Sequence, residues 1–404
     1  ITYPFVFLDE FQDTTHAQFG LLKTVFESNE TIFTCVGDDK QRIMVWAGAM
    51  PDAFSRFESD FSAKRISLLR NYRSHEDLVA VQHVIASQID RKCELPEAMA
   101  GRTVDGDIAA IWEFSTNEEE SEWLAEWIKR EVKELEIEPH EIEILVRLRV
   151  DNVEDSLAQS FSKRGLRLRN VSRNVGEISI QDLLSEDLTA ILLPILRLLA
   201  ERRNPDNWNK AIKNLQHLEG IAFSDEDSQQ KMQLRLQKFI REIRKTTRTN
   251  RPALDDVKRI AFQVLKFVGK PLIQRTYPAY QRNMDFDRVW EGFVSLLTES
   301  VERVYSWTEL LDDFEGRGQI ALMTIHRSKG LEFHTMIFYG LDNRTWWSLE
   351  PNNREEINSF YVAFTRAKQR AFFTLCTERG QPVIWIEELL KPAGVLRQDH
   401  SYLP

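Results

Sequence analysis

The chain has 404 residues, 42% of them hydrophobic and 29% charged, which is enough apolar material for roughly two to four folded units. Only 16 glycines and 13 prolines exclude a collagenous or low-complexity architecture, and three widely spaced cysteines, Cys35, Cys93 and Cys376, exclude a disulfide framework. A net charge of −10 excludes general electrostatic attraction to nucleic acid, so any such binding must be local.

No apolar run reaches the ~18 residues of a membrane span, and the first residues lack the order of a signal peptide. A reducing, cytoplasmic setting is expected. The Asn-x-Ser/Thr triplets at Asn29, Asn170 and Asn343 are then chance matches.

In chain order, Phe5, Val6, Phe7 and Leu8 form a continuous apolar run stopped by Asp9-Glu10, which predicts a central strand of a parallel sheet. Residues 15–27 carry Phe19, Leu22, Val25 and Phe26 at helical spacing, and 31–36 read as a second strand ending at Gly37-Asp38. This is a strand-helix-strand unit, and right-handed crossover is expected. The rhythm repeats with a strand at 108–113, a helix at 118–135 bearing Trp123, Trp127 and Ile128 on one side, and a strand at 143–147.

From about 178 to 311 it vanishes. Apolar positions recur at three and four residues, helices at 188–200 and 232–245 follow one another, and an all-helical insertion is predicted. Strands resume at 320–325, 335–339 and 371–375, so the insertion splits a second α/β sheet.

The carboxylates of Asp9 and Glu10 fall just past a strand, at the sheet edge where open α/β folds bind ligands. Mg²⁺ prefers one or two carboxylates with phosphate oxygens and water, so Asp9 can hold such an ion while Glu10 polarises an attacking water. Two readings stay open, this one and a plain acidic cap on the next helix. Gln41 follows the next strand on the same edge, where an amide can sense a terminal phosphate. Trp46 reads either as core or as a stacking platform for an unpaired base.

Arg70, Tyr72 and Arg73 cluster in one segment, and Arg366 and Lys368 in another; arginine suits phosphate by its fork of donors and permanent charge. The segment from Met323 to Phe333 begins as a strand and turns at Gly330. Its Thr324, His326, Ser328 and backbone amides can grip phosphates, and Glu332 can accept from a ribose hydroxyl.

Taken in order, LDEFQD, VGDDKQRIMVWAGA, LLRNYRS, TIHRSKGLEF and YVAFTRAK make the chain resemble the superfamily 1 DNA helicases of the UvrD/Rep type. The resemblance implies two RecA-like parallel-sheet motor domains, the first incomplete and the second interrupted by an all-helical subdomain. The implied boundaries are 1–75 for the carboxyl-terminal part of the first motor domain, 76–177 and 316–404 for the two segments of the second, and 178–315 for the insertion.

It further implies ATP and Mg²⁺ as cofactors, with Asp9 on the metal, Glu10 as catalytic base, Gln41, Arg73 and Arg366 near the γ-phosphate, Tyr72 stacking on adenine, and Gly330 and Glu332 at the nucleotide. Trp46, Thr324 and His326 are the implied contacts to single-stranded DNA. Single strands, a duplex junction and a nuclease or repair factor are the implied partners. The implied activity is ATP-dependent movement 3′ to 5′ on single-stranded DNA.

Two departures bear on this. Met44-Val45-Trp46-Ala47 lacks one ring and one cation common in the family, and Arg327 replaces a small residue, as a phosphate contact or a solvent-facing side chain. No G-x-x-x-x-G-K-[ST] occurs. Gly269-Lys270 is followed by Pro271, and the G-x-G-x-x-A at Gly316 precedes a strand, which makes it a turn. The simplest account is a truncated chain whose phosphate loop lies upstream of Ile1, inactive alone.

The alternative is a non-hydrolysing scaffold binding DNA or protein in a repair or defence complex; intact Asp9, Glu10, Gln41, Arg73 and Arg366 weigh against it. A fused nuclease after Thr377 has too few residues. Finally, Met232, Leu236, Phe239, Ile240 and Ile243 form an apolar helical stripe amid Lys231, Arg235, Lys238, Arg241, Arg244, Lys245 and Arg248. Those cations either solvate the helix or face a duplex.

Overall fold

A computed structural model describes residues 3–26, 31–249 and 251–400 of the chain, which divides into two compact units, Ile1–Leu168 with Leu322–Pro404, and Arg169–Ala321. Asn29 and the side chain of Arg248 lie outside the described residues.

The first unit opens with β1 (Phe5–Leu8), α1 (His16–Phe26) and β2 (Ile32–Cys35), the strands pairing in parallel with Phe5 opposite Ile32 and Leu8 opposite Cys35. Phe11, Phe19, Met50 and Phe57 form a small core with α2 (Ala53–Phe61). The expectation of a buried central strand is not met. β1 alternates, with Phe5 59% and Phe7 75% exposed, because among the described residues β2 is its sole strand partner and its packed side is the one toward that core.

After α3 (Glu76–Ile89) come β3 (Ala109–Phe114), α4 (Asn117–Glu134), β4 (Ile142–Val146), α5 (Val150–Lys163) and β5 (Leu168–Asn170). The strands β6 (Ile320–Thr324), β7 (Phe333–Phe338), β8 (Ala367–Cys376) and β9 (Arg397–Asp399) follow the insertion, and α12 is the helix Arg354–Phe364 between β7 and β8. One seven-stranded sheet results, in the order β9-β3-β8-β7-β4-β6-β5, with β3, β4, β7, β8 and β9 running parallel.

Both faces of this sheet are covered. Phe372 stacks on Trp112, which meets Trp123 and Trp127 of α4, whereas Phe373 stacks on Phe360 of α12. Adjacent strand residues point to opposite faces, so α4 and α12 lie on opposite sides. That explains the near-continuous apolar runs of β4 and β8. The split sheet is α/β, as expected.

The second unit is helical. Its main elements are α6 (Asp187–Ala200), α7 (Pro205–Glu219), α8 (Glu226–Thr249), α9 (Leu254–Val268), α10 (Asn283–Glu299) and α11 (Trp307–Glu315). The apolar stripe of α8 is spent internally: Met232, Leu236 and Ile240 are buried in the core, with Phe239 and Ile243 against it. Gly316 ends α11 with φ near +83°, so the glycine motif there is a turn before β6.

Candidate functional site

The site grows from the exits of β1 and β2. Glu10, just past β1, holds a left-handed backbone (φ 51°, ψ 39°), unusual for a residue with a Cβ and typical of positions fixed by function. Phe11 is buried behind it as an anchor, and the backbone N–H of Glu10 donates to Asp9 Oδ1 at 2.9 Å. Gln12, 1% exposed, donates from Nε2 to Glu10 Oε2 and accepts the backbone N–H of Asp38 at 3.1 Å, tying the two strand exits together. Gly37 is required there, because a Cβ would stand 2.2 Å from Gln12 Oε1.

Facing this edge is the segment after β6. Lys329 Nζ lies 2.9 Å from Glu10 Oε2 and 2.5 Å from Asp13 Oδ2. Burial pulls the Glu10 carboxyl up, but hydrogen bonds from Lys329 and Gln12 outweigh it and hold its pKa below the usual value. For Lys329 burial pulls down, and the bonds to Asp13 and Glu10 prevail and raise it.

Arg366 follows α12. Its Nε donates to Val362 O at 2.9 Å, and one terminal nitrogen donates to Gln41 Oε1 at 2.9 Å, joining residues 325 apart in sequence. It is 5% exposed; burial first, and the neighbouring Arg73 guanidinium second, bring its pKa down to about 10, still charged at neutral pH. Arg73 donates to Glu332 Oε1 at 2.7 Å and to Thr365 O at 3.0 Å. The Arg73 hydrogen bond overcomes burial and lowers the Glu332 carboxyl.

Tyr72, 70% exposed, stands with Glu332, Leu68, Arg70 and Pro96 around a cleft of about 480 Å³. Gly330, just ahead of Leu331 and Glu332 in the chain, takes φ near +84°, with open space where a side chain would be. Glu10, Gln41, Arg73, Arg366, Tyr72 and Glu332 therefore come together.

The other three stand apart from that group. Trp46 is 74% exposed on the short 3-10 turn Val45–Ala47, an exposed indole rather than core. Thr324 ends β6 half-buried, and His326 is exposed on the turn that follows. Desolvation of the ring by the surrounding protein first, and the Arg147 guanidinium next, hold its pKa below the usual value.

A model of the UvrD-like helicase C-terminal domain matches residues 66–258 and 284–378, and one of the UvrD/REP helicase N-terminal domain matches residues 2–62. The chain belongs to the UvrD-like helicase family. It is 24% identical over 418 residues to a probable DNA helicase II homolog of Mycoplasma pneumoniae, covering 96% of this chain and 56% of that protein. It is 27% identical over 431 residues to the ATP-dependent DNA helicase Rep of Buchnera aphidicola, covering 93% and 63%. With the ATP-dependent DNA helicase PcrA of Staphylococcus epidermidis the identity is 24% over 426 residues, covering 93% and 55%. The chain spans between about half and two thirds of these relatives' lengths.

Within this site Asp9 offers a carboxylate that suits a magnesium ion, its Oδ1 taking the Glu10 N–H and its second oxygen remaining for a cation. Two residues escaped the reading of the sequence. Gln12 was signalled only by its place in LDEFQD, and Lys329 only by its place before Gly330; each owes its role to partners the chain brings from elsewhere.

Proposed function

We propose that this chain carries the working cleft of an ATP-driven DNA helicase or translocase that moves 3′ to 5′ on single-stranded DNA. The observation that carries the reading is the bond from Arg366 to Gln41, alongside the Arg73–Glu332 pair. The first joins Gln41 to the last motif and the second joins the segment of Arg73 to that of Glu332. In this reading residues 1–75 belong to the first motor domain, 76–177 and 316–404 form the second, and 178–315 are the inserted subdomain.

Glu10 takes a proton from the attacking water, and Gln12 fixes the direction of its carboxylate. Asp9 would hold Mg²⁺, which when bound would supply charge stabilisation on the phosphate oxygens. Arg73 and Arg366 offset charge on the transferring phosphoryl, while Gln41 senses its presence. Tyr72 and Glu332 hold the base and ribose, and Gly330 leaves room for them. Lys329, now paired with Glu10 and Asp13, is positioned to exchange those carboxylates for phosphate when nucleotide enters.

Because the arginines come from elements beyond the carboxylate edge, nucleotide state controls closure and hence the grip of Trp46, Thr324 and His326 on the strand. Duplex ahead of the strand is proposed to lie against the cationic side of α6–α8. Its cleft of about 980 Å³ is lined by Arg202, Arg203, Trp208 and Arg241.

The test is Arg366→Ala in the complete gene product. DNA-stimulated ATP turnover should fall by about a hundredfold or more, with DNA affinity nearly unchanged. Unaltered turnover refutes the role. A complete parent protein that binds DNA without any turnover makes the molecule a non-hydrolysing scaffold.

A further inference from the structure

Trp347 lies outside every motif discussed above. It is 55% exposed, next to Trp346, which is 1% exposed and packs edge-on against Phe360 of α12. Its loop is held from several sides. Asp342 accepts the backbone N–H groups of Arg344 and Thr345 and the Arg379 guanidinium at 2.8 to 3.0 Å, Asn353 donates to Ser348 O, and Trp385 Nε1 donates to Leu349 O at 2.6 Å. A large indole exposed on so fixed a loop is a preset apolar face that can receive a ligand without first being ordered.

One face of the ring is already occupied. The Arg147 guanidinium sits 4.9 Å from its centroid. Arg147 is itself 9% exposed and pinned by Glu356 of α12, at 3.0 Å through Nε, and by Ser348 Oγ at 3.1 Å. The guanidinium backs the indole, and more than half of the side chain is left to solvent. The same Arg147 and Glu356 act electrostatically on His326, so the platform adjoins the turn assigned above to strand contact.

We propose that Trp347, backed by Arg147, is a stacking platform for one unpaired nucleobase of the bound strand. A nucleobase is the occupant the chemistry favours: a preset indole face accepts any base, and the cation behind it strengthens attraction to a flat π-system close to phosphates. Arg147 acts as a positioning residue, holding the ring without touching the base.

This inference rests on the single-strand reading of the molecule, and the experiment separates the two. Affinity of the complete protein is measured by fluorescence anisotropy for an oligo-dT strand of about 16 nucleotides and for an abasic strand of equal length and charge, with Trp46→Ala as a reference variant. Trp347→Ala should weaken oligo-dT binding by about tenfold, and Trp347→Phe, which keeps a ring, by less than about threefold. Neither should change abasic-strand affinity.

Equal oligo-dT affinity for Trp347→Ala and parent, with Trp46→Ala weakened, overturns the platform and leaves the motor reading standing. Equal losses on both strands overturn it too, since the side chain would then act through charge or fold. A parent protein that binds neither strand overturns both readings.

Discussion

Glu143 shows how a single side chain can oppose the element it sits in. It is the second residue of β4, opposite Met336 of β7, 0% exposed, with neither carboxyl oxygen hydrogen-bonded among the described residues. Burial raises its pKa well above 4.5, so the folded chain keeps a proton that the unfolded chain releases. Below the unfolded pKa both states are protonated and nothing is lost; as pH rises toward the folded pKa, stability falls. Glu143→Met, which fills similar space without the carboxyl, is expected to stabilise by about 1–3 kcal/mol at neutral pH, and by less near pH 4.5. Thermal unfolding of parent and variant across that range checks both sign and window. A gain independent of pH would mean that the carboxyl is ionised in the fold or satisfied by water.

At the scale of elements, the pattern of the chain was legible where local chemistry decides it. α4 is announced by Thr116 and Glu119, which form a capping box, and by Trp123 and Trp127 on its buried side. The buried strands of the large sheet were legible as mainly apolar runs, broken at single positions such as Glu113 and Glu143. For β1 the same kind of run gave a strand but not its exposure, because coverage of a face depends on neighbours that no local pattern encodes. The site divides the same way. Asp9, Glu10 and Gln41 follow from strand ends, whereas Arg73 meeting Glu332, 259 residues away, came only through family resemblance, and the bonds of Gln12 were not foreseen.

The junction of β2 with the site offers a direct test. Gly37→Ala places a methyl 2.2 Å from Gln12 Oε1, with Phe11 N and Phe54 Cζ each 3.0 Å away. The yielding atom is the end of a flexible side chain, so folding should suffer by only about 1 kcal/mol. Gln12 must then release Glu10 or the Asp38 N–H. In the complete protein ATP turnover should fall by up to about a hundredfold, as expected when a catalytic group is displaced by about 1 Å. Turnover equal to the parent's, with Tm lowered as expected, would remove Gln12 from the role of orienting the base.

For the whole molecule the proposed reading requires a chain of net charge −10 to hold a polyanion. Charge must be segregated, and the helical unit carries the test. Some cations of α8 are already engaged: Arg235 pairs with Glu219, and Arg244 donates to the carbonyls of Leu198 and Glu201. Arg202, Arg203 and Arg241 differ, since among the described residues they form no ion pair, and all three are exposed around the cleft that also holds Trp208. Each phosphate neutralised releases condensed counterions, adding about 0.9 to the slope of log affinity against log salt on duplex DNA. Replacing all three by alanine should reduce that slope by about two to three for a junction substrate, while single-strand affinity at fixed salt changes little because the proposed strand contacts Trp46, Thr324 and His326 are untouched. An unchanged slope would assign these arginines to solvation of the helical surface and remove the duplex from this face of the molecule.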